Sequence, residues 1–294
     1  MRIIVTGAKG QLGTEIQKCF ERGYTELGVP EILKSENEVC YVDIDTVDIA
    51  DIGALRALFA EFKPEAVINC AAFTKVDACE TTDRETSFKA NALGPRNLAM
   101  ACEEIGAKLV HVSTDYVFAG DGDKPYVEYD ICAPQSVYGS TKYLGEEYVK
   151  QFSTKYFIVR TAWLYGYYGK NFVKTMMNIA RQRGACKVVC DQRGNPTNAA
   201  DLAHHLLKLV TTEQYGVYHG TGNGECSWFE FTQKIVEFAG IEATVSPCTS
   251  EEFPTPTKRP AYSSLDNMML RCTVGDEFRD WQDALKCFIE NYKE

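Results

Sequence analysis

A β-branched run, Arg2–Thr6, passes directly into Gly7-Ala8-Lys9-Gly10-Gln11-Leu12-Gly13, and a helical pattern then extends from about Leu12 to Arg22. A strand that turns through glycines into a helix puts the helix N-terminus at the carboxyl end of that strand. Glycines permit the tight turn and let backbone come close to a ligand. The unpaired N–H groups and the dipole at the helix start favour an anion there. In this strand–turn–helix setting, G-x-x-G-x-x-G points to a pyrophosphate and so to a dinucleotide.

The alternation continues. Val39–Ile44 reads as a second strand, and Asp51–Phe62 has helical spacing with Leu55, Leu58, Phe59 and Phe62 on one face. Ala66–Ala71 is an almost wholly apolar third strand, as expected for one covered on both faces. Helical patterns cover Arg84–Ile105, Lys108–Ser113 is a fourth strand, Gly139–Gln151 a helix and Tyr156–Arg160 a fifth strand. The chain is therefore expected to be α/β, a Rossmann-type doubly wound parallel sheet with a smaller α/β substrate lobe. Residues 1–160 plus about 186–215 are expected to form the dinucleotide-binding domain. Residues about 161–185 and 216–294 would form the substrate-binding lobe. Asn171–Arg183 and Asp201–Thr211 read as helices, and Glu251–Tyr262 as a loop.

Composition narrows the function classes. The formal net charge is -10 with no basic run, which disfavours nucleic acid and anionic membrane surfaces as partners. The 12 cysteines are scattered and form no C-x-x-C pair. They read as reduced thiols in a reducing compartment, and no metal site is expected. The chain opens on a strand with no apolar leader, and no run reaches the roughly 18–20 apolar residues of a membrane span. A cytoplasmic location is expected.

Several residues complete a dinucleotide site. Asp43, at the end of the second strand, could accept hydrogen bonds from the adenosine ribose and repel a 2′-phosphate, which favours NADH over NADPH. Asp48 and Ile49 could border the adenine. Ala71 and Ala72, in Asn69-Cys70-Ala71-Ala72, are small enough for close approach of the cofactor.

The reacting groups have a spacing of their own. Tyr138-Gly139-Ser140-Thr141-Lys142 places Tyr138 and Lys142 on one helix face. The lysine can bear on both the phenol and the nicotinamide ribose. A nearby cation should lower the phenol pKa from about 10 and make Tyr138 a better proton donor. A hydroxyl from the end of the fourth strand, Ser113 or Thr114, could hydrogen-bond a substrate carbonyl, and spacing does not choose between them.

Together these motifs resemble the extended short-chain dehydrogenases that act on nucleotide sugars. Longer strings resemble the dTDP-4-dehydrorhamnose reductase family within that group: Ser113-Thr114-Asp115-Tyr116-Val117-Phe118, Arg160-Thr161-Ala162-Trp163-Leu164-Tyr165-Gly166, Asp191-Gln192-Arg193-Gly194-Asn195-Pro196-Thr197 and Arg259-Pro260-Ala261-Tyr262-Ser263-Ser264-Leu265. The resemblance implies that Thr114 is the catalytic hydroxyl with Tyr138 and Lys142. Gly7, Gly10, Gln11, Leu12 and Gly13 would carry the cofactor, NADPH or NADH. Thr74, Tyr116 and Trp163 would line a sugar pocket, with Asn171 and Arg259 near the nucleotide diphosphate. The implied reaction reduces the C4 carbonyl of dTDP-6-deoxy-L-lyxo-4-hexulose to dTDP-L-rhamnose, a cell-surface polysaccharide precursor, by a monomer or homodimer.

Three positions depart from the family pattern. Phe73 stands where relatives often carry Tyr, Arg193 replaces an apolar or aromatic residue, and the Gly28–Val39 connection is long. Glu15 matches one Mg2+ ligand of some relatives, but one ligand does not make a site. Two other readings share the motifs: an epimerase or dehydratase, and a non-catalytic NADP-binding regulatory subunit. Dehydratases of this type add an acid pair after the fourth-strand hydroxyl, whereas here Asp115 is followed by Tyr116. The joint presence of Thr114, Tyr138 and Lys142 favours an enzyme over a regulatory subunit.

Overall fold

The structure, a computed structural model, describes residues 1–293. The first half alternates strand and helix: β1 (Arg2–Thr6), α1 (Gln11–Arg22), β2 (Glu38–Val42), α2 (Ile52–Phe62), β3 (Ala66–Asn69), α3 (Val76–Glu80), α4 (Arg84–Phe88), α5 (Gly94–Ile105), β4 (Lys108–Thr114), α6 (Val137–Phe152) and β5 (Tyr156–Thr161). The second half has shorter strands: β6 (Leu164–Tyr165), α7 (Phe172–Arg183), β7 (Ala185–Val189), β8 (Arg193–Gly194), β9 (Thr197–Asn198), α8 (Ala199–Leu209), β10 (Gly216–His219), β11 (Cys226–Ser227), α9 (Trp228–Phe238), β12 (Thr244–Cys248), α10 (Met268–Cys272) and α11 (Trp281–Asn291).

Six strands pair in the order β2-β1-β3-β4-β5-β10, and every pairing is parallel. Alternation along each strand divides the apolar side chains between two cores. Ile3, Val5, Ile68 and Val110 pack on one face with Leu12 and Ile16 of α1 and Leu202 and Leu206 of α8. Ile4, Val67, Leu109 and Ile158 pack on the other with Leu55 and Phe59 of α2 and Leu98 and Cys102 of α5. The sheet is thus covered on both faces, as the apolar reading of β3 required. The strand order reverses direction between β1 and β3, where ligands bind in open α/β sheets.

A separate core joins α7, α9 and α11 around Tyr165, Met177, Phe231, Trp281, Leu285 and Phe288. This is the smaller lobe. The sheet pairings change its expected limits in two places. Residues 185–189 pair with 244–248 and belong with the lobe, not with the central sheet. Residues 216–219 form β10, the sixth strand of the central sheet, not part of the lobe.

Two details of the helices bear on the site. Asp51 lies outside α2 as its N-cap, with its carboxylate accepting from Gly53 N and Ala54 N. The stretch 84–105 is helical throughout, as its pattern indicates, with one defect. It widens into a π-turn at Lys89–Leu93, where Asn91 Oδ1 accepts from Phe73 N at 2.8 Å and Nδ2 donates to Phe73 O at 3.0 Å. The turn thereby fixes the segment that follows β3, and such turns often mark functional sites. No helix among the described residues is long and apolar enough to cross a membrane.

Candidate active site

The carboxyl ends of β1, β2 and β3 open into a cavity of about 490 Å³, whose walls include Gly7, Gly10, Asp43, Asp48, Ala71 and Ala72. Ile49 also lines it, and Ile44, 70% exposed, stands at its lip. Gly7 has φ +64°, and a Cβ there would lie 2.6 Å from Ala71 N. Gly13 lines no cavity wall. A Cβ on it would meet Gly7 O at 2.3 Å, so its absence lets α1 seat against the turn. Gly10 is the N-cap of α1 and makes no side-chain cap, which leaves the first helical N–H groups for an anion. The cradle therefore fits a dinucleotide pyrophosphate on backbone geometry alone.

Asp43 ties β2 to the glycine turn. Its carboxylate accepts from Lys9 N at 2.9 Å and from Ile44 N at 2.8 Å. Beneath the cavity, Thr6 donates to Asn69 Oδ1 at 2.7 Å, and the Asn69 amide meets His111 Nδ1 at 2.9 Å. Burial holds His111 well below its ordinary pKa, so the imidazole is neutral.

A second cavity of about 540 Å³ shares Lys9, Gly10, Cys70 and Ala72 with the first. It contains Thr114, Tyr138 and Lys142 together with Gln11, Leu12, Thr74, Tyr116 and Trp163. The expected cofactor and reacting groups therefore meet across one shared wall.

Strand alternation separates the two hydroxyls that spacing left open. Ser113 donates to Glu146 Oε1 at 2.5 Å, and Glu146 pairs with the buried Arg160 at 2.7 Å. That hydroxyl is spent on a buried network. Thr114 Oγ1 instead lies 2.9 Å from Asp115 Oδ1, beside Tyr138.

Electrostatics differ from the sequence expectation in one respect. The phenol of Tyr138 is shifted upward, not downward, because burial outweighs the opposing hydrogen bond from Thr114. Lys142 donates to Val112 O at 2.7 Å and does not govern the phenol in this state. Burial brings Lys142 down to about 8, against the opposing charge of Glu146. Tyr138 is thus protonated, as a proton donor must be, but is a weaker acid than a free phenol. Burial also lifts Asp115 to about 6.

The two residues expected near the diphosphate both lie outside the lining of the second cavity. Asn171 caps α7, accepting from Lys174 N at 3.1 Å, and its amide donates to Gln11 Oε1 at 2.9 Å and Gly166 O at 2.8 Å. It orders the junction of lobe and glycine turn and lines neither cavity. Arg259 lines a smaller cavity of about 200 Å³ that shares Tyr116 with the second. Its guanidinium bonds Tyr116 Oη at 3.1 Å and Asp77 at 2.8 Å.

Trp163 adopts φ +47°, a left-handed conformation that strains a bulky residue and often marks a functional site. Its indole stacks on Trp228 with ring centroids 3.5 Å apart. A Cβ on Gly194 would meet that indole at 2.6 Å, which explains the glycine in the Asp191–Thr197 string. Trp228, at the start of α9, is a cavity residue that sequence reasoning missed. Arg193 turns away from the cavity to pair with Glu225 and Glu230. All 12 cysteines are free. Glu15 pairs with Arg22 at 2.9 Å, and no cluster of three metal-ligating side chains occurs among the described residues.

Residues 1–294 match the family described as RmlD substrate binding domain. The chain belongs to this family. A curated relative, the spore coat polysaccharide biosynthesis protein SpsK of Bacillus subtilis, is 38% identical, covering 98% of this chain and 97% of its own. A dTDP-4-dehydrorhamnose reductase from Clostridium acetobutylicum superposes with a TM-score of 0.92 at 47% identity over 99% of both chains. The Bacillus anthracis dTDP-4-dehydrorhamnose reductase, solved in complex with NADP, gives a TM-score of 0.91 at 42% identity over 98% of both. The family likeness therefore spans sheet and lobe together.

Proposed function

We propose that this chain is a dTDP-4-dehydrorhamnose reductase. It reduces the C4 carbonyl of dTDP-6-deoxy-L-lyxo-4-hexulose to give dTDP-L-rhamnose, with NADPH or NADH as reductant. The observation that carries this reading is the shared wall, which sets Thr114, Tyr138 and Lys142 beside the glycine cradle. Family membership supports the sugar nucleotide as substrate.

A bound reduced nicotinamide supplies hydride to the carbonyl carbon. The chain supplies the rest. Tyr138, protonated and buried, gives its proton to the carbonyl oxygen as the alcohol forms. Thr114 donates a hydrogen bond to the same oxygen and stabilises developing negative charge. Lys142 holds the nicotinamide ribose. Thr74, Tyr116, Trp163 and Trp228 enclose the sugar, and Arg259 exchanges Asp77 for the substrate diphosphate, which a guanidinium can bind bidentately. The enzyme acts in the cytoplasm as a monomer or homodimer, with neither nucleic acid nor membrane as partner.

The test is nicotinamide oxidation by the purified protein with dTDP-6-deoxy-L-lyxo-4-hexulose, NADH and NADPH in parallel. Turnover that yields dTDP-L-rhamnose is expected. Cofactor binding without turnover would remove the assignment.

A further inference from the structure

The hydroxyl of Thr114 has one proton, and its neighbours Asp115 and Tyr138 decide where it goes. Thr114 Oγ1 lies 2.9 Å from Asp115 Oδ1 and accepts from Tyr116 N at 3.3 Å. If Asp115 is a carboxylate, that oxygen takes the threonine proton, and Thr114 turns only lone pairs toward the cavity. A carbonyl oxygen also offers only lone pairs. In that state Thr114 cannot stabilise the developing alkoxide.

A neutral Asp115 reverses the chain. Its acid proton goes to Thr114 Oγ1, and the Thr114 proton is free to point at the substrate. Burial favours this form and outweighs the hydrogen bonds from Ser263, Thr114 and the Asp115 and Tyr116 backbone, which favour the carboxylate. Asp115 is 4% exposed, and its Oδ2 has no hydrogen-bond partner. The groups that face it are Thr114 and Tyr116 on its own segment, Tyr138 on α6 and Ser263 on the C-terminal segment, none of them a cation. Arg259 is the next charge, beyond Tyr116, and is matched by Asp77. Lys142 lies one turn past Tyr138 and points to Val112 O.

We propose that Asp115 is a positioning residue that works as a neutral acid: it donates to Thr114, and so makes Thr114 a second hydrogen-bond donor to the reacting oxygen beside Tyr138. This rests on the reductase reading. Burial already carries Asp115 to about 6. Bound diphosphates and the loss of cavity water disfavour the carboxylate further.

The experiment is the pH profile of kcat/KM for dTDP-6-deoxy-L-lyxo-4-hexulose at saturating NADH, from about pH 5.5 to about pH 9. NADH avoids titration of a 2′-phosphate. The wild type should show a plateau at low pH and a fall, about tenfold per unit, above the Asp115 break. Asp115→Asn keeps the shape and can donate permanently through its amide. It should match the wild type below the break within about threefold, and remove the break while leaving the later fall from Lys142. Thr114→Val, which has no hydroxyl to orient, should also lack the break in its residual rate. A break that survives in either variant would overturn the proposal. So would a folded Asp115→Asn enzyme slowed about a hundredfold at every pH, since Asp115 would then act as an anion. Wild-type enzyme with no turnover would instead remove the reductase reading itself.

Discussion

The two ends of the site are built by different means. The proposed cofactor end is built largely on local main chain, the Gly7–Gly13 turn, the start of α1 and the small residues after β3, with Asp43, Asp48 and Ile49 at its side. The proposed catalytic and sugar end is made of side chains brought from distant segments, Thr114, Tyr138, Trp163, Trp228 and Arg259. At the first end, close approach depends on atoms that are absent, the missing Cβ of Gly7 and Gly13. At the second, specificity comes from the placement of particular groups. Substitution should therefore harm binding at one end and chemistry or substrate fit at the other.

The largest expected effect is at the catalytic end. Tyr138→Phe should lower kcat by about 10²- to 10⁴-fold. NADH affinity by fluorescence titration and the thermal midpoint should stay near wild type. A parallel loss of cofactor binding would blur the division between the ends.

Gly13→Ala should do the converse. Its Cβ would fall 2.3 Å from Gly7 O, and backbone on both sides must shift. An overpacking cost of about 1–3 kcal/mol is expected, divided between stability and cofactor affinity. Calorimetry and NADH titration would read it.

A smaller change is expected from Trp228→Ala, which removes the ring stacked on Trp163. Such pairs contribute about 0.5–1.5 kcal/mol beyond their area, so KM for the sugar nucleotide should rise several-fold with NADH binding unchanged. Smallest is Asp43→Asn. It keeps an acceptor for Lys9 N but removes the charge facing a 2′-phosphate. The NADPH-to-NADH efficiency ratio should rise a few-fold.

Stability against pH sharpens the contrast within the catalytic end. Asp115 has a folded pKa raised from 3.8 to about 6. Its contribution is fully present below the unfolded pKa and is lost as pH rises through the folded value. Asp115→Asn should therefore gain stability relative to wild type between about pH 5 and about pH 8, by roughly 1.4 kcal/mol, the part of a total of roughly 3 kcal/mol that falls in this window. Urea melts at the two pH values would show it, and an equal difference at both would contradict the burial argument.

The same contrast explains what was legible in the sequence. The glycine turn and the Tyr138–Lys142 pair depend on local backbone or one helix turn, and short-range spacing reports them. Trp228 lies in α9, far along the chain from Trp163, and no periodicity links two residues that meet only through the lobe core. Asn91 looks like an ordinary helical residue until the π-turn aims it at Phe73. β10 is four residues long, and β6, β8, β9 and β11 are two each, too short for alternation to show. Asn171 reads equally well as a ligand contact or a helix cap, and the structure uses it as the cap. The upward shift of Tyr138 depends on burial, which spacing does not measure.

The shared wall between the two cavities is the centre of the account, because on the proposed reading a nicotinamide on one side passes hydride directly to a sugar carbonyl on the other. The most direct measurement is turnover of dTDP-6-deoxy-L-lyxo-4-hexulose with NADH deuterated at the transferring position of the nicotinamide C4, followed by mass spectrometry and proton NMR of the product. The account expects one deuterium, at C4 of the sugar, in dTDP-L-rhamnose. A product formed with no deuterium at that carbon would contradict it.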